Sequence, residues 1–135
     1  MKLTRASSYA LHALAYLAAQ KNIQPVPSHL VARAQGIPER FLLKVLKPLV
    51  SIRALISVKG PNGGYRLARP ANRISLLEVI EAVDGPIRGQ EPLSREDGAG
   101  PLSRRLEAIC KSAADEVRRR LQKVSLADLA SRRQR

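Results

Sequence analysis

Apolar residues recur at helical spacing along the first part of the chain. Thr4 is a predicted N-cap, and the helix that follows has its main apolar face at Ala6, Ala10, Ala13, Leu14 and Leu17. A second apolar flank consists of Leu11, Ala15 and Ala18. A helix with two apolar sides predicts two partners, one inside its own domain and one outside it.

Two further helices are predicted around a glycine turn. The first covers residues 28–35 with Leu30, Val31 and Ala34 inward, and Gly36 ends it because glycine adopts the left-handed conformation at little cost. Pro38 suits the start of the second helix. That helix has an inner face of Phe41, Leu42, Val45, Leu46 and Leu49 and an outer face of Glu39, Arg40, Leu43, Lys44 and Lys47. Two helices joined in this way indicate a helix-turn-helix.

A β-hairpin is predicted next. Residues 55–59 and 65–68 alternate in strand fashion, with Ile56, Val58, Tyr65 and Leu67 as core candidates. The residues between them, Gly60-Pro61-Asn62-Gly63-Gly64, favour a turn. The fold class is therefore mainly α with a small β-hairpin, a winged helix-turn-helix.

The last part of the chain predicts a helix, a loop and a long helix. Ser75 and Glu78 have capping-box spacing, and the helix they open buries Leu76, Val79, Ile80 and Val83 before it stops at Gly85. Residues 86–101 are rich in proline and glycine and predict a flexible loop. A long helix from Ser103, followed by a short one from Ser125, has one narrow apolar seam, and such a helix needs a partner helix. The seam is Leu102, Leu106, Ile109, Ala113, Val117 and Leu121.

Charge adds a candidate partner. The 135-residue chain has a net charge of +13 and a pI near 11.1, which is typical of nucleic-acid binders. Residues 1–70 hold eleven basic residues and one acidic residue, a net charge of +10, whereas residues 71–135 hold thirteen and ten, a net charge of +3. The first half is therefore the expected polyanion-facing part. A basic surface kept for solubility, or a ribosome-associated protein, is the alternative.

Several segments resemble the Rrf2 family of bacterial transcription regulators. They are Gly36-Ile37-Pro38, Leu46-Lys47-Pro48-Leu49 and the stretch LISVKGPNGGYRLA at 55–68. The opening MKLT with Tyr9-Ala10 and the closing SLADL at 125–129 are also similar. The resemblance implies a homodimer whose two winged helices read a pseudo-palindromic promoter site in double-stranded DNA. Together with the pattern along the chain, it indicates a winged helix-turn-helix DNA-binding domain (1–85), a flexible loop (86–101) and a dimerisation helix with a short C-terminal helix (102–135).

This resemblance leads to specific roles at DNA. We expect Pro38, Glu39, Arg40, Leu43 and Lys44 to face the major groove. Arg40 is the candidate for a bidentate guanine contact, Lys44 for a base or phosphate, and Leu43 for a thymine methyl. The alternative is that Arg40 and Lys44 form a solvated basic face.

The hairpin tip and the N-terminus complete the expected interface. The wing residues Lys59, Gly60, Pro61, Asn62, Gly63 and Arg66 are placed at the minor groove, where glycines permit close backbone approach. Lys2, Thr4 and Arg5 are candidates for a flanking phosphate. The alternative for the glycines is a tight turn and nothing more.

The candidate chemistry excludes most other functions. Many Rrf2 proteins resemble iron–sulfur sensors with three cysteines in the loop before the long helix, but this chain has Cys110 alone and a cluster usually needs four ligands. We therefore expect no cofactor. One further hypothesis joins His12, Cys110 and Glu116 in a metal or redox site between two subunits. The alternative is that Cys110 is a small buried hydrophobe and His12 a polar helix residue. No catalytic constellation is evident, so an enzyme is not expected.

The surroundings of the protein are predicted in the same way. No apolar run approaches the length of a membrane span, and no signal peptide is evident, so we expect a cytoplasmic protein. An unidentified small-molecule or protein effector is a further candidate partner of such a regulator. The competing interpretations are a non-specific RNA- or ribosome-associated protein and a protein-interaction module built on a winged helix.

Overall fold

The computed structural model of the chain describes residues 1–21, 23–95 and 100–130. The helices are α1 (Arg5–Ala18), α2 (Ser28–Gln35), α3 (Glu39–Ser51), α4 (Leu76–Asp84), α5 (Pro101–Gln122) and α6 (Leu126–Ala130). Strands β1 (Leu55–Val58) and β2 (Gly64–Leu67) form the hairpin, and short 3-10 turns cover Ala71–Arg73 and Pro92–Arg95. The predicted order of elements, mainly α with one hairpin, is confirmed.

Helix α1 lies at the centre of the fold. It contacts α2, α3, α4 and α6, because its main apolar face is buried as predicted from Ala10 to Leu17. The largest fully buried apolar side chains are Leu14, Leu42, Leu46, Leu49, Leu55, Ile74, Leu126, Val31 and Val79. This core holds α3 and the hairpin against α1.

The glycine turn between α2 and α3 is confirmed, but the inner faces of both helices are narrower than predicted. Gly36 takes a φ of 65°, and Ile37 packs back into the core. Val31 and Ala32 are buried on α2, whereas the prediction that Leu30 and Ala34 point inward is wrong, since Leu30 is 40% exposed and Ala34 is exposed. Helix α2 has only about two turns, so it buries a single row of side chains against α1 and α3 and leaves the rest exposed.

The hairpin rests on a third segment that the pattern did not show. Leu55 pairs with Leu67 and Val58 with Gly64 in an antiparallel register. Val26 adds an isolated bridge to Tyr65, with both backbone bonds at 2.9 Å. Leu55 is buried, while Ile56, Val58, Tyr65 and Leu67, which were predicted to lie in the core, are only partly buried. A two-stranded ribbon covers only one of its faces, so most of its side chains remain half-exposed.

The capping box of α4 is confirmed and connects to the hairpin. Ser75 Oγ accepts from the Glu78 N–H at 3.1 Å, and the Glu78 carboxylate accepts from the Ser75 N–H at 2.8 Å. Helix α4 buries Leu77, Val79 and Ile80, whereas Leu76 and Val83 are partly buried.

Arg69 fastens the end of β2 to α4. Its guanidinium donates to the Glu78 carboxylate at 2.8 and 3.1 Å and to the backbone oxygens of Ile52, Arg53 and Arg73. Burial alone would raise the pKa of Glu78, but the hydrogen bonds from Arg69 and Ser75 and the charge of Arg69 outweigh it and lower that pKa. The ionised form of Glu78 is therefore favoured in the folded protein.

We expect this ion pair to make stability fall in acid. Because the pKa of Glu78 is lower in the folded state, its contribution is complete above the unfolded value of about 4.3 and is lost as the pH falls through the folded value. Glu78→Gln keeps the capping box and removes the charge. Urea unfolding at pH 6 and pH 3 should show that this variant loses less stability on acidification than the wild type, by under about 1 kcal/mol because the pair is partly exposed.

The matched control for this experiment is Glu116→Gln. Glu116 is exposed and has no hydrogen-bond partner among the described residues. An equal loss of stability in the wild type and in Glu78→Gln between the two pH values would contradict the assigned role of the pair.

Helix α5 begins earlier than predicted. Pro101 occupies its first turn, where the missing N–H costs nothing, so the helix starts at Pro101 and not at Ser103. The preceding segment is partly fastened: Ile87 N–H donates to Glu81, and Glu91 N–H donates to Glu107 at 2.6 Å. Residues 96–99 of the predicted loop and residues 131–135 of the predicted dimerisation segment lie outside the described residues. The division into three segments stays a prediction.

Candidate nucleic-acid interface

The outer face of α3 is cationic and open. The buried residues Leu42, Val45, Leu46 and Leu49 occupy one side of the helix, and the exposed residues on the other side are Arg40, Leu43, Lys44 and Lys47. Pro38 is the exposed N-cap. Within the described residues neither Arg40 nor Lys44 forms an ion pair with a carboxylate. Their charges are therefore available to an external anion.

Phe41 belongs to this face and not to the core. It was predicted to point inward, but its side chain is 46% exposed, because the buried stripe of α3 passes to one side of it. The Arg40 guanidinium carbon and the Lys44 Nζ each lie 5.8 Å from the centre of its ring. The sequence alone could not show this exposure of Phe41, because the position of the buried stripe on α3 depends on the contacts of α3 with α1.

Glu39 is attached to the neighbouring helix. Its carboxylate accepts a hydrogen bond from Ser28 Oγ at 2.7 Å, across the helix-turn-helix. Both side chains are at the start of their helices, so this bond sets the two N-termini relative to each other. Direct contact of Glu39 with a base stays a prediction.

The wing presents its tip to solvent. Lys59, Gly60, Pro61 and Asn62 are exposed, while Gly63 and Arg66 are partly buried. The turn closes with the Gly63 N–H donating to the Gly60 oxygen at 3.0 Å. A Cβ at Gly63 would lie 2.1 Å from the Val58 oxygen, so this glycine is required by the hairpin itself, whereas the surroundings of Gly60 are open. Of these two glycines, Gly60 is the one free to approach a ligand.

The N-terminal candidates differ in availability. Lys2 and Arg5 are exposed. The Thr4 hydroxyl accepts from the Ser7 N–H at 3.0 Å and donates to Asp84 at 2.8 Å, which ties the start of α1 to the end of α4. A phosphate bound by the Thr4 side chain would have to replace one of these bonds, so its predicted role there is untested and would compete with them.

The predicted seam of α5 is largely uncovered. No residue of α5 is buried, and its main contacts are with α4, where Arg118 pairs with Glu81. Leu102 is 67% exposed and Ile109 is 63% exposed. Leu106 and Ala113 are also exposed, and the last two members, Val117 and Leu121, are partly buried. A stripe of this kind is costly in water unless another surface covers it.

A second uncovered apolar surface lies on α1. Leu3, Leu11, Ala15 and Leu129, with Ser8 and His12, line a groove of about 270 Å³ between α1 and α6. Leu11 and Ala15 belong to the second apolar flank predicted for α1, which has no complete partner within the described part of the chain. We call this surface the α1 groove.

The proposed metal or redox residues do not meet in one chain. His12 is exposed in the α1 groove, Cys110 is half-buried on α5, and Glu116 is exposed on α5. Among the described residues no three histidine, cysteine or carboxylate side chains converge on a common point. A site shared between two subunits stays a hypothesis.

Within the residues that the structure describes, no helix is both long and apolar enough to cross a bilayer.

Comparisons with known proteins agree with this architecture. The family model for Rrf2, described as an iron-dependent transcriptional regulator, matches residues 3–132. A helix-turn-helix transcriptional regulator of Mycobacterium tuberculosis is 33% identical over 132 residues, covering 96% of this chain and 81% of that protein. The regulator IscR of Xenorhabdus nematophila is 31% identical over 129 residues, covering 96% and 79%.

The solved structures show the same fold. CymR, described as the global cysteine regulator of B. subtilis, is 25% identical and has a TM-score of 0.75, with 96% of each chain covered. CymR of Staphylococcus aureus in its oxidized form is 24% identical and also has a TM-score of 0.75, with both chains covered completely. The winged helix-turn-helix fold is thereby confirmed.

Proposed function

The chain belongs to the Rrf2 family of DNA-binding transcription regulators, and on this premise we propose that it reads a pseudo-palindromic promoter site as a homodimer. Members of this family are regulators and not enzymes. The observation that carries the proposal is the outer face of α3, whose cations have no carboxylate partner among the described residues. A helix with such a face, beside a basic hairpin, matches the major and minor grooves of duplex DNA.

The contacts at DNA follow from this arrangement. Arg40 presents a planar fork of donors that suits the O6 and N7 acceptors of guanine. Lys44 and the wing cations Lys59 and Arg66 suit phosphates, which fix the register without reading sequence. Leu43 is exposed on the same helix and suits a thymine methyl.

The homodimer is supported by two apolar surfaces of the same chain. The seam of α5 and the α1 groove are both uncovered, and each is apolar enough to cover the other. We propose that the α5 helices of two copies pack together through the seam and reach the partner's α1 groove. To enter successive major grooves, the two copies of α3 would have to lie roughly 34 Å apart in this dimer.

The regulator is proposed to work without an ordinary iron–sulfur cluster. The chain contains one cysteine, and the family's clusters depend on several thiolates. The signal is then a small molecule, a protein partner or a change at Cys110. The hypothesis that His12, Cys110 and Glu116 bind a metal across the dimer predicts stoichiometric iron or zinc in purified protein.

The proposal is tested by two substitutions with different expected results. Arg40→Ala should weaken binding to the selected site by about 1 to 3 kcal/mol and relax the base preference at one position. Lys59→Ala should weaken binding to all sequences alike and lower the salt slope by about one. Both effects are measured in a gel-shift assay at several salt concentrations, on a site selected from random duplex DNA.

The same assay separates the alternatives. A non-specific RNA- or ribosome-associated protein would bind RNA at least as well as duplex DNA and would select no consensus. A protein-interaction module would bind neither nucleic acid at physiological salt. Unchanged binding by both variants would show that α3 and the wing are not the interface.

A further inference from the structure

The exposure of Phe41 is unusual for its residue type. Phenylalanine is among the side chains most often buried, and this is the only one in the chain. It lies in a helix whose neighbouring apolar residues, Leu42 and Val45, are buried, yet nearly half of its surface is open. The core therefore does not explain why an aromatic ring occupies this position.

The ring lies at the boundary between the core stripe and the cationic face. On a helix that advances about 100° per residue, Arg40 and Lys44 both lie to the same side of Phe41, and Val45 lies to the other side. Both cations come within 5.8 Å of the ring centre, which is inside the range of a cation–π contact. The ring thus holds two cations of the proposed DNA-reading face together.

This contact limits the freedom of two long side chains. Arginine and lysine lose more rotamer freedom than most residues when a ligand fixes them. A ring that already restrains the Arg40 guanidinium in the free protein reduces the rotamer freedom that Arg40 loses when it binds DNA. The ring also offers an electron-rich surface that competes little with hydrogen bonds, so the donors of Arg40 remain available to a base.

We infer that Phe41 is a positioning residue for sequence recognition: its ring holds the Arg40 guanidinium, with Lys44 beside it, in the orientation that reads a guanine. The inference rests on the proposed function and adds a residue that determines how strongly guanine is preferred. Phe41 contributes no charge, so it affects discrimination and leaves the electrostatic part of binding unaltered.

The test compares ringless and ring-retaining variants. Phe41→Leu and Phe41→Met keep a similar apolar volume without the ring, whereas Phe41→Tyr keeps the ring. Binding is measured on the selected site and on the same site with 7-deazaguanine, which removes the N7 acceptor, at the guanine that Arg40 contacts. Circular dichroism and urea unfolding verify the fold of each variant.

The expected results separate positioning from support of the fold. The wild type and Phe41→Tyr should lose about tenfold in affinity on the 7-deazaguanine site. The ringless variants should bind the unmodified site about fivefold more weakly and lose under threefold on the modified one. The salt slope should stay that of the wild type, because every cation is retained. In an Arg40→Ala background, Phe41→Leu should change the discrimination no further.

Three outcomes would overturn the inference. Ringless variants that discriminate as the wild type does would show that the ring positions nothing. A deficit in Phe41→Tyr equal to that in Phe41→Leu would show that the ring is not the feature required. An additive effect of Phe41→Leu on discrimination in the Arg40→Ala background would show that it does not act through Arg40. A wild type without any sequence preference would instead overturn the proposed function itself.

Discussion

Leu106→Glu combined with Ile109→Glu is expected to convert the protein into a monomer and to weaken binding to a palindromic site by about a hundredfold or more. Both positions belong to the exposed seam of α5. Burying two carboxylates against an apolar partner costs far more than leaving them in water, so the seam would no longer pair. Each copy would then bind one half-site without the effective concentration that the second half-site provides.

The control for this experiment is a second pair of glutamates on the same helix. Ala108 and Gln122 are exposed and point away from Leu106 and Ile109 around the axis of α5. Ala108→Glu with Gln122→Glu therefore adds the same charge without touching the proposed interface. Sedimentation and gel shift should show a dimer with at most a modest loss of affinity. A dimeric seam variant, or a monomeric control, would show that the subunits do not meet along the seam.

Gly64→Ala is expected to destabilise the protein by about 2 to 6 kcal/mol and to abolish specific binding through loss of the wing. Gly64 has a φ of 149°, and an added Cβ would lie 2.3 Å from the backbone carbonyl of Val26. The unfavourable backbone conformation and the overpacking each cost about 1 to 3 kcal/mol. This clash is removed only if Val26 moves away from Tyr65. That movement breaks the two hydrogen bonds that hold the wing to the segment before α2.

A matched variant isolates the close approach from the backbone strain. Gly60 also has a positive φ, of 106°, but an added Cβ there meets nothing within 4 Å. Gly60→Ala should therefore show the strain alone, about 1 to 3 kcal/mol. Urea unfolding at equal protein concentration measures both. Equal losses in the two variants would mean that the contact between Gly64 and Val26 contributes nothing to the stability of the hairpin.

The elements of the fold could be read from the chain because their signals are local. The capping box at Ser75 and Glu78 and the turn at Gly36 each involve residues within one helical turn of each other. The hairpin around Gly60 and the apolar periodicity of α1 and α5 are likewise each contained within one continuous segment of the chain. Such short-range signals depend on backbone geometry and near neighbours, so they can be recognised without knowledge of the rest of the molecule.

The errors in the predicted inner faces of α2 and α3 occurred at the edges of those faces. Leu30, Ala34 and Phe41 follow helical spacing but lie at the flank of the buried stripe. A helical repeat shows that a stripe exists, but its width and centre depend on which neighbouring helix covers it. For α3 that neighbour is α1, more than twenty residues away in the chain. Phe41 is the one of the three for which we infer a functional role.

Composition and short-range periodicity were enough to predict the order of the helices and the hairpin, the cationic first half of the chain and the apolar seam. The packing of the elements sets which side chains remain exposed. It also brings Val26 to the wing, Asp84 to Thr4, and Leu3 and Leu129 to the α1 groove. These features join residues up to 126 positions apart in the chain. Their contacts depend on how whole elements pack, and no local pattern encodes that packing.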